Sequence, residues 1–115
     1  FENNRLTSID LKNVTNIGGF AFKNNKLTLI DLKNVTNIDT DAFSNNRFKY
    51  YILLPEKYKN NEQIINIFGD EYSLDKVIKM NKKYFDDWKE IVREMKMDMY
   101  MRGYVLESLL ELELF

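Results

Sequence analysis

The sequence contains one stretch twice in succession. Residues 1–21 and 22–42 align without a gap, and the segment Leu6–Ile17 returns at 27–38 with a single change, Ser8 to Leu29. A third copy opens at 43–47 and loses the pattern after Pro55. Self-similarity at a fixed period of this length is typical of folds in which successive coils stack. The repeat therefore limits what the chain can fold into before its composition is considered.

The first two copies place apolar residues at the same positions, which in the first copy are Leu6, Ile9, Leu11, Val14 and Ile17, with Phe22 opening the second copy. A short strand would put Ile9 and Leu11 on one face, because side chains alternate along a strand. One such coil cannot bury its apolar face alone, so neighbouring coils must stack. We therefore expect Ile30 to be buried between two coils. The recurring asparagines should bond backbone groups at the turns and form a ladder along the stack: Asn4, Asn25 and Asn46.

The pattern resembles the BspA-like class of bacterial leucine-rich repeats, which reads roughly LxxIxLPxxLxxIxxxAFxxN. The matching residues are Leu6, Ile9, Leu11, Val14, Ile17, Ala21, Phe22 and Asn25, and one period later Leu27, Ile30, Leu32, Val35, Ile38, Ala42, Phe43 and Asn46. Lys12 and Lys33 stand where this class often has proline, without disturbing the core spacing. The resemblance covers residues 1–55.

The resemblance implies an α/β-type solenoid, a short leucine-rich repeat array with one parallel β-strand in each coil of about 21 residues. It also implies a non-enzymatic module that binds a protein or a glycan at a bacterial surface. A cell-surface or secreted location follows from the resemblance alone.

Composition excludes several classes of function. The chain has no Cys and no His, which removes zinc sites of the usual ligand type and Ser-His-Asp or Cys-His catalysis. A net charge of −1 argues against a nucleic-acid surface, and no apolar run is long enough to insert into a membrane. We expect no cofactor. Because the chain begins within a repeat and without Met, we expect it to be a fragment or a processed product.

The sequence of the second half predicts helices. The chain should therefore consist of leucine-rich repeats over 1–55 and a C-terminal helical cap over 56–115. Asn60 with Gln63 is typical of a helix start, and Gly69 of a helix end. Ser73 should begin a longer helix, whose apolar stripe is Leu74, Val77, Ile78, Tyr84, Phe85, Trp88, Ile91, Val92, Met95 and Met99. Its breadth favours packing on a globular surface over a coiled coil. Residues 104–115 suit either a helix or a strand.

Motifs that could carry chemistry are weak. Ser73 and Lys76 fit the S-x-x-K pattern of serine acyl-enzymes, but an N-cap serine is the plainer interpretation. Asn13 and Asn34 stand in glycosylation sequons that recur because the repeat recurs.

The strand alternation predicts a partner-binding row on the concave face of the stack. Its candidate residues are Ser8, Asp10 and Lys12 in the first coil, Leu29, Asp31 and Lys33 in the second, and Tyr50 and Ile52 in the third. The alternative for Tyr50 and Ile52 is that the C-terminal helices cover them. A second hypothesis is a structural role, with homo-oligomerisation through the strand edge at 6–11 or through the C-terminal helix.

Overall fold

The computed structural model describes residues 2–94. Its elements, in chain order, are four short strands, a 3-10 turn and two helices: β1 (Asn16–Ile17), β2 (Leu29–Asp31), β3 (Asn37–Ile38), β4 (Tyr51–Leu53), the turn Glu56–Tyr58, α1 (Asn61–Phe68) and α2 (Leu74–Glu94). The strands form two parallel pairs, β1 with β3 and β2 with β4. Parallel pairing between neighbouring coils, as predicted, is therefore confirmed.

The strand predicted at 6–11 is not formed as predicted. Residues 6–11 carry no strand assignment, although their backbone still accepts hydrogen bonds from the second coil, at Leu6 from Lys26 N–H (2.9 Å) and at Thr7 from Thr28 N–H (3.3 Å). Leu29, by contrast, is held in β2 by pairing with Tyr51 of the third coil.

Hydrogen bonds between residues one period apart hold the first two coils together. Thr36 N–H donates to the Thr15 carbonyl at 2.8 Å, and its hydroxyl donates to the same oxygen at 2.8 Å. Asn37 donates through its side chain to Asn16 at 2.7 Å. The core lies between the two parallel strand pairs. Ile30 is only 1% exposed, which confirms its predicted burial.

All three repeated asparagines bond backbone groups at their turns, as predicted, with Asn4 donating to the Glu2 carbonyl at 3.3 Å, but only Asn25 and Asn46 also link neighbouring coils. Asn46 accepts a hydrogen bond from Leu27 N–H of the previous coil (3.1 Å) and donates to the carbonyls of Phe22 and Phe43 (both 2.9 Å). Asn25 accepts from Leu6 N–H at 3.3 Å in the same manner. Both side chains are buried, whereas Asn4 is exposed.

The third coil contains one residue more than the period allows. Lys49 N–H and Tyr50 N–H both donate to the carbonyl of Thr28 at 3.0 Å, so two residues oppose one, as in a bulge. Beyond it Leu29 pairs with Tyr51 and Ile30 with Ile52. The predicted equivalence of Leu29 with Tyr50 is therefore wrong by one residue, and a shift of one residue exchanges the two faces of a strand.

The helices continue the core of the coils. Ile64, Ile67 and Phe68 are fully buried in the same cluster as Leu27 and Ile30. Helix α1 accepts the hydrogen bonds that a further coil would otherwise accept. Asp41 N–H donates to the Asn66 carbonyl (2.7 Å), and Phe43 N–H donates to the Ile67 carbonyl (3.0 Å). The Phe43 ring stacks between those of Phe22 (5.3 Å between centroids) and Phe68 (5.7 Å). The division at Pro55 stays a prediction, since this core is continuous across it.

The predicted helix ends are confirmed. Asn60 Oδ1 accepts from Gln63 N–H at 2.9 Å, and Gly69, at φ 106°, ends α1 in a conformation that side chains rarely adopt. Ser73 Oγ accepts from Lys76 N–H at 3.2 Å at the start of α2. These contacts place Ser73 in the capping role rather than the catalytic one.

The apolar stripe of α2 is confirmed in part. Val77 and Phe85 are buried and Tyr84 and Trp88 half-buried, but Ile78 is 55% and Ile91 40% exposed. Their inclusion in the packed face is wrong because the face of α2 that meets β4 is narrower than the apolar stripe of the sequence. The side chains of Val92, Met95 and Met99, and the undecided segment 104–115, lie outside the described part. Within residues 2–94 no helix is long and apolar enough to cross a membrane.

Candidate functional site

The predicted row lies on the surface of the first two coils. Ser8, Asp10, Lys12 and Asp31 are exposed, and Leu29 and Lys33 are half-buried. Leu29 and Asp31 flank the buried Ile30 in β2, so alternation turns both away from the core.

The two aspartates occupy the same turn in consecutive coils. Asp10 Oδ1 accepts from Lys12 N–H at 2.9 Å, and Asp31 Oδ1 accepts from Lys33 N–H at 3.0 Å. In each carboxylate one oxygen is thus bonded to the backbone two residues later. The repeat therefore sets two similarly oriented carboxylates on neighbouring coils.

A groove of about 360 Å³ brings part of the row together. Four of the predicted residues line it, with four that the row did not include: Asp10, Lys12, Leu29 and Asp31, then Ile9, Leu11, Asn34 and Tyr51. Ser8, Lys33, Tyr50 and Ile52 are not among its lining residues. Apolar side chains and two carboxylates thus share one concave surface.

The third-coil members of the row need correction. Ile52, predicted to point outward, is 1% exposed in the core, because the extra residue places it opposite Ile30. Tyr50 is exposed, but it lies in the bulge rather than in β4. Tyr51 and Leu53 take the positions next to Leu29 and Asp31, and Leu53 is buried under Phe85 of α2. The alternative that the helices cover Tyr50 and Ile52 fails for Tyr50, which is 42% exposed, whereas α2 covers Leu53, which the row did not include.

Aromatic rings extend the groove from Tyr51 onto α2. The Tyr84 ring lies 5.1 Å from Tyr51, 6.2 Å from Tyr50 and 6.3 Å from Trp88, measured between centroids. We call these four residues the aromatic shelf: Tyr50, Tyr51, Tyr84 and Trp88. Burial raises the pKa of the Tyr51 phenol above its ordinary value, and the neighbouring Tyr84 and the Asp31 carboxylate act in the same direction.

Asn81 of α2 closes the outer edge of β4. Its Oδ1 accepts from Ile52 N–H and its Nδ2 donates to the Ile52 carbonyl, both at 2.9 Å. These are the two backbone groups that a further strand would use. Sequence reasoning missed this role, although a lone asparagine within the apolar stripe of α2 was a signal for it.

Coils joined by parallel strands, with a core of leucine, isoleucine and phenylalanine at a fixed period, define a repeat protein of the leucine-rich class. The family described as the BspA type leucine-rich repeat region (6 copies) matches residues 1–88. The chain belongs to this family. The match extends past Pro55 through α1 and most of α2, beyond the residues on which the resemblance was based. Neither the curated proteins nor the solved structures compared with the chain gave a match.

Proposed function

We propose that the chain is a non-enzymatic protein-binding module, a short solenoid closed by helices, and that the groove is its binding surface. The family supports a role in protein interaction, since stacked repeats offer extended concave surfaces to partners. The observation that carries the proposal is that two consecutive coils and β4 contribute to one groove, at residues Asp10, Leu29, Asp31 and Tyr51.

The chemistry of the groove favours a protein over a glycan. Leu29 and Tyr51 offer apolar contact area beside charged side chains, which is the usual composition of a protein interface. Tyrosine is also enriched among the residues that dominate binding energy. Leu29 stands where the first coil has Ser8, and its aliphatic side chain adds contact area that a sugar hydroxyl would not use.

The test is a selection of binders from a displayed library of random peptides, followed by affinity measurements with groove variants of the full chain. Leu29→Ala and Asp31→Ala should each weaken binding by about 1 kcal/mol or more, roughly fivefold, with folding intact. Ile65→Ala and Asp39→Ala are matched controls, because both residues are exposed and neither lines the groove. Binders whose affinity is unchanged in both groove variants would contradict the proposed site.

A further inference from the structure

We propose that the groove takes a basic side chain, an arginine, from an extended segment of the partner protein. This inference rests on the proposed function and adds the chemistry of the partner. Three features of the described residues support it: the two carboxylates, their lack of intramolecular ion pairs, and the aromatic shelf that begins at Tyr51.

The carboxylates of Asp10 and Asp31 carry negative charge into the groove that the described chain does not pair. Four ion pairs lie on α2 and around the 3-10 turn, and none of these four involves Asp10 or Asp31: Lys59 with Glu56, Lys79 with Asp75, Lys83 with Asp87, and Lys89 with Asp86. Lys12 also lines the groove, so two carboxylates face one ammonium. The excess of negative charge favours a cationic occupant.

The aromatic shelf adds a second attraction for a cation. Ring faces attract cations within about 6 Å, and the chain already places an ammonium of its own there, with Lys49 Nζ 5.1 Å from the Tyr50 ring centroid. Tyr51 belongs both to the groove and to the shelf. A cation bound beside Asp31 would therefore also meet the Tyr51 ring.

Arginine suits this combination better than lysine. Its planar guanidinium can donate to carboxylates through two N–H groups at once and stack on an aromatic ring, whereas an ammonium acts as a hydrated point charge. Its aliphatic stem can lie along Leu29. A wholly apolar segment would instead bury the two carboxylates without partners, and an anionic ligand would be repelled by them.

The experiment is a titration of the isotopically labelled full chain, followed by NMR, with a synthetic peptide of alternating glycine and arginine. Its twin carries citrulline, which has nearly the same shape without the charge. The arginine peptide should give saturable shifts at the amides of Leu29, Asp31 and Tyr51, with affinity about tenfold above that of the citrulline peptide. A lysine peptide should bind more weakly than the arginine peptide.

The matched variants are chosen so that the fold should be kept. Asp10→Asn with Asp31→Asn retains the oxygen that accepts from the backbone N–H and removes the charge, so the preference for arginine over citrulline should disappear. Asp39→Asn, outside the groove, should leave it unchanged. Equal affinity for the two peptides, or shifts confined to another surface, would overturn the inference. If library binders depend on Leu29 and Asp31 yet carry no basic residue, the proposed function stands and this inference falls.

Discussion

The side chains of Asn25 and Asn46 each bond backbone N–H and C=O groups that have no backbone partner in the tight turn. Each amide accepts from an N–H of the preceding coil and donates to carbonyls of its own turn, within the buried interior. Buried backbone groups without partners are costly, so the turn needs a residue with both a donor and an acceptor. The fixed recurrence of asparagine predicted hydrogen bonding at the turns, but the adjacent Asn3, Asn24 and Asn45 recur as regularly, and they bond to one another between exposed side chains instead.

The residue-scale prediction concerns Asn46. Asn46→Ala removes the acceptor for Leu27 N–H and the donor to the Phe43 carbonyl, and should lower the free energy of unfolding by about 2–4 kcal/mol. Asn46→Asp keeps the acceptor but loses the donor and introduces a buried charge, so it should destabilise at least as much. Urea denaturation measures both changes.

The control for these variants is Asn4→Ala, because Asn4 holds the same repeat position but is exposed. It should change the free energy of unfolding by less than about 0.5 kcal/mol. Similar losses at Asn4 and Asn46 would show that the bonds at Asn46 contribute little.

At the scale of elements, the buried face of a strand could be predicted where apolar and polar residues alternate, and it could not be predicted where they do not. Leu29, Ile30 and Asp31 have one register that buries an apolar residue and exposes a charge, so the burial of Ile30 followed from the pattern. The run from Tyr50 to Leu54 is apolar throughout, and alternation cannot choose between its two faces. The register of β4 is instead set by the bulge at Lys49 and Tyr50 and by the cover that α2 provides. For the same reason Tyr51 was missed as a groove residue.

The element-scale prediction concerns the contact between α2 and β4. Asn81→Ala would leave Ile52 N–H and C=O without their partner, which should cost about 1–3 kcal/mol of stability. The freed edge could then pair with another chain, so self-association should rise with concentration. Urea denaturation and light scattering measure the two effects.

Lys82→Ala is the matched control, because Lys82 is the next residue of α2 and is exposed. The Lys82→Ala variant should leave unchanged both the free energy of unfolding and the molecular mass measured by light scattering. An Asn81→Ala variant that behaves like the control would mean that Asn81 does not protect the edge of β4.

At the scale of the whole molecule, the coils and helices share one core. The main cluster runs from Leu11 in the first coil to Val77 in α2, and α1 supplies Ile64, Ile67 and Phe68 to it. The sequence predicted helices at this end, since an apolar run such as 50–54 needs cover. It could not predict that α1 would take over the hydrogen bonds of a further coil, because those contacts depend on the position of the helix and not on its pattern. Repeats depend on their neighbours for stability, so removing this end should affect every coil.

The central claim, that the repeats fold only with their helical end, is tested most directly by comparing the amide NMR spectrum of a fragment of residues 1–55 with that of the full chain. The fragment lacks Ile64, Ile67 and Phe68, and its Phe43 and Ile52 lose their cover. The account predicts an insoluble fragment, or a soluble one with the narrow amide dispersion of an unfolded chain. A soluble, monomeric fragment whose resonances match those of residues 2–55 in the full chain would contradict it.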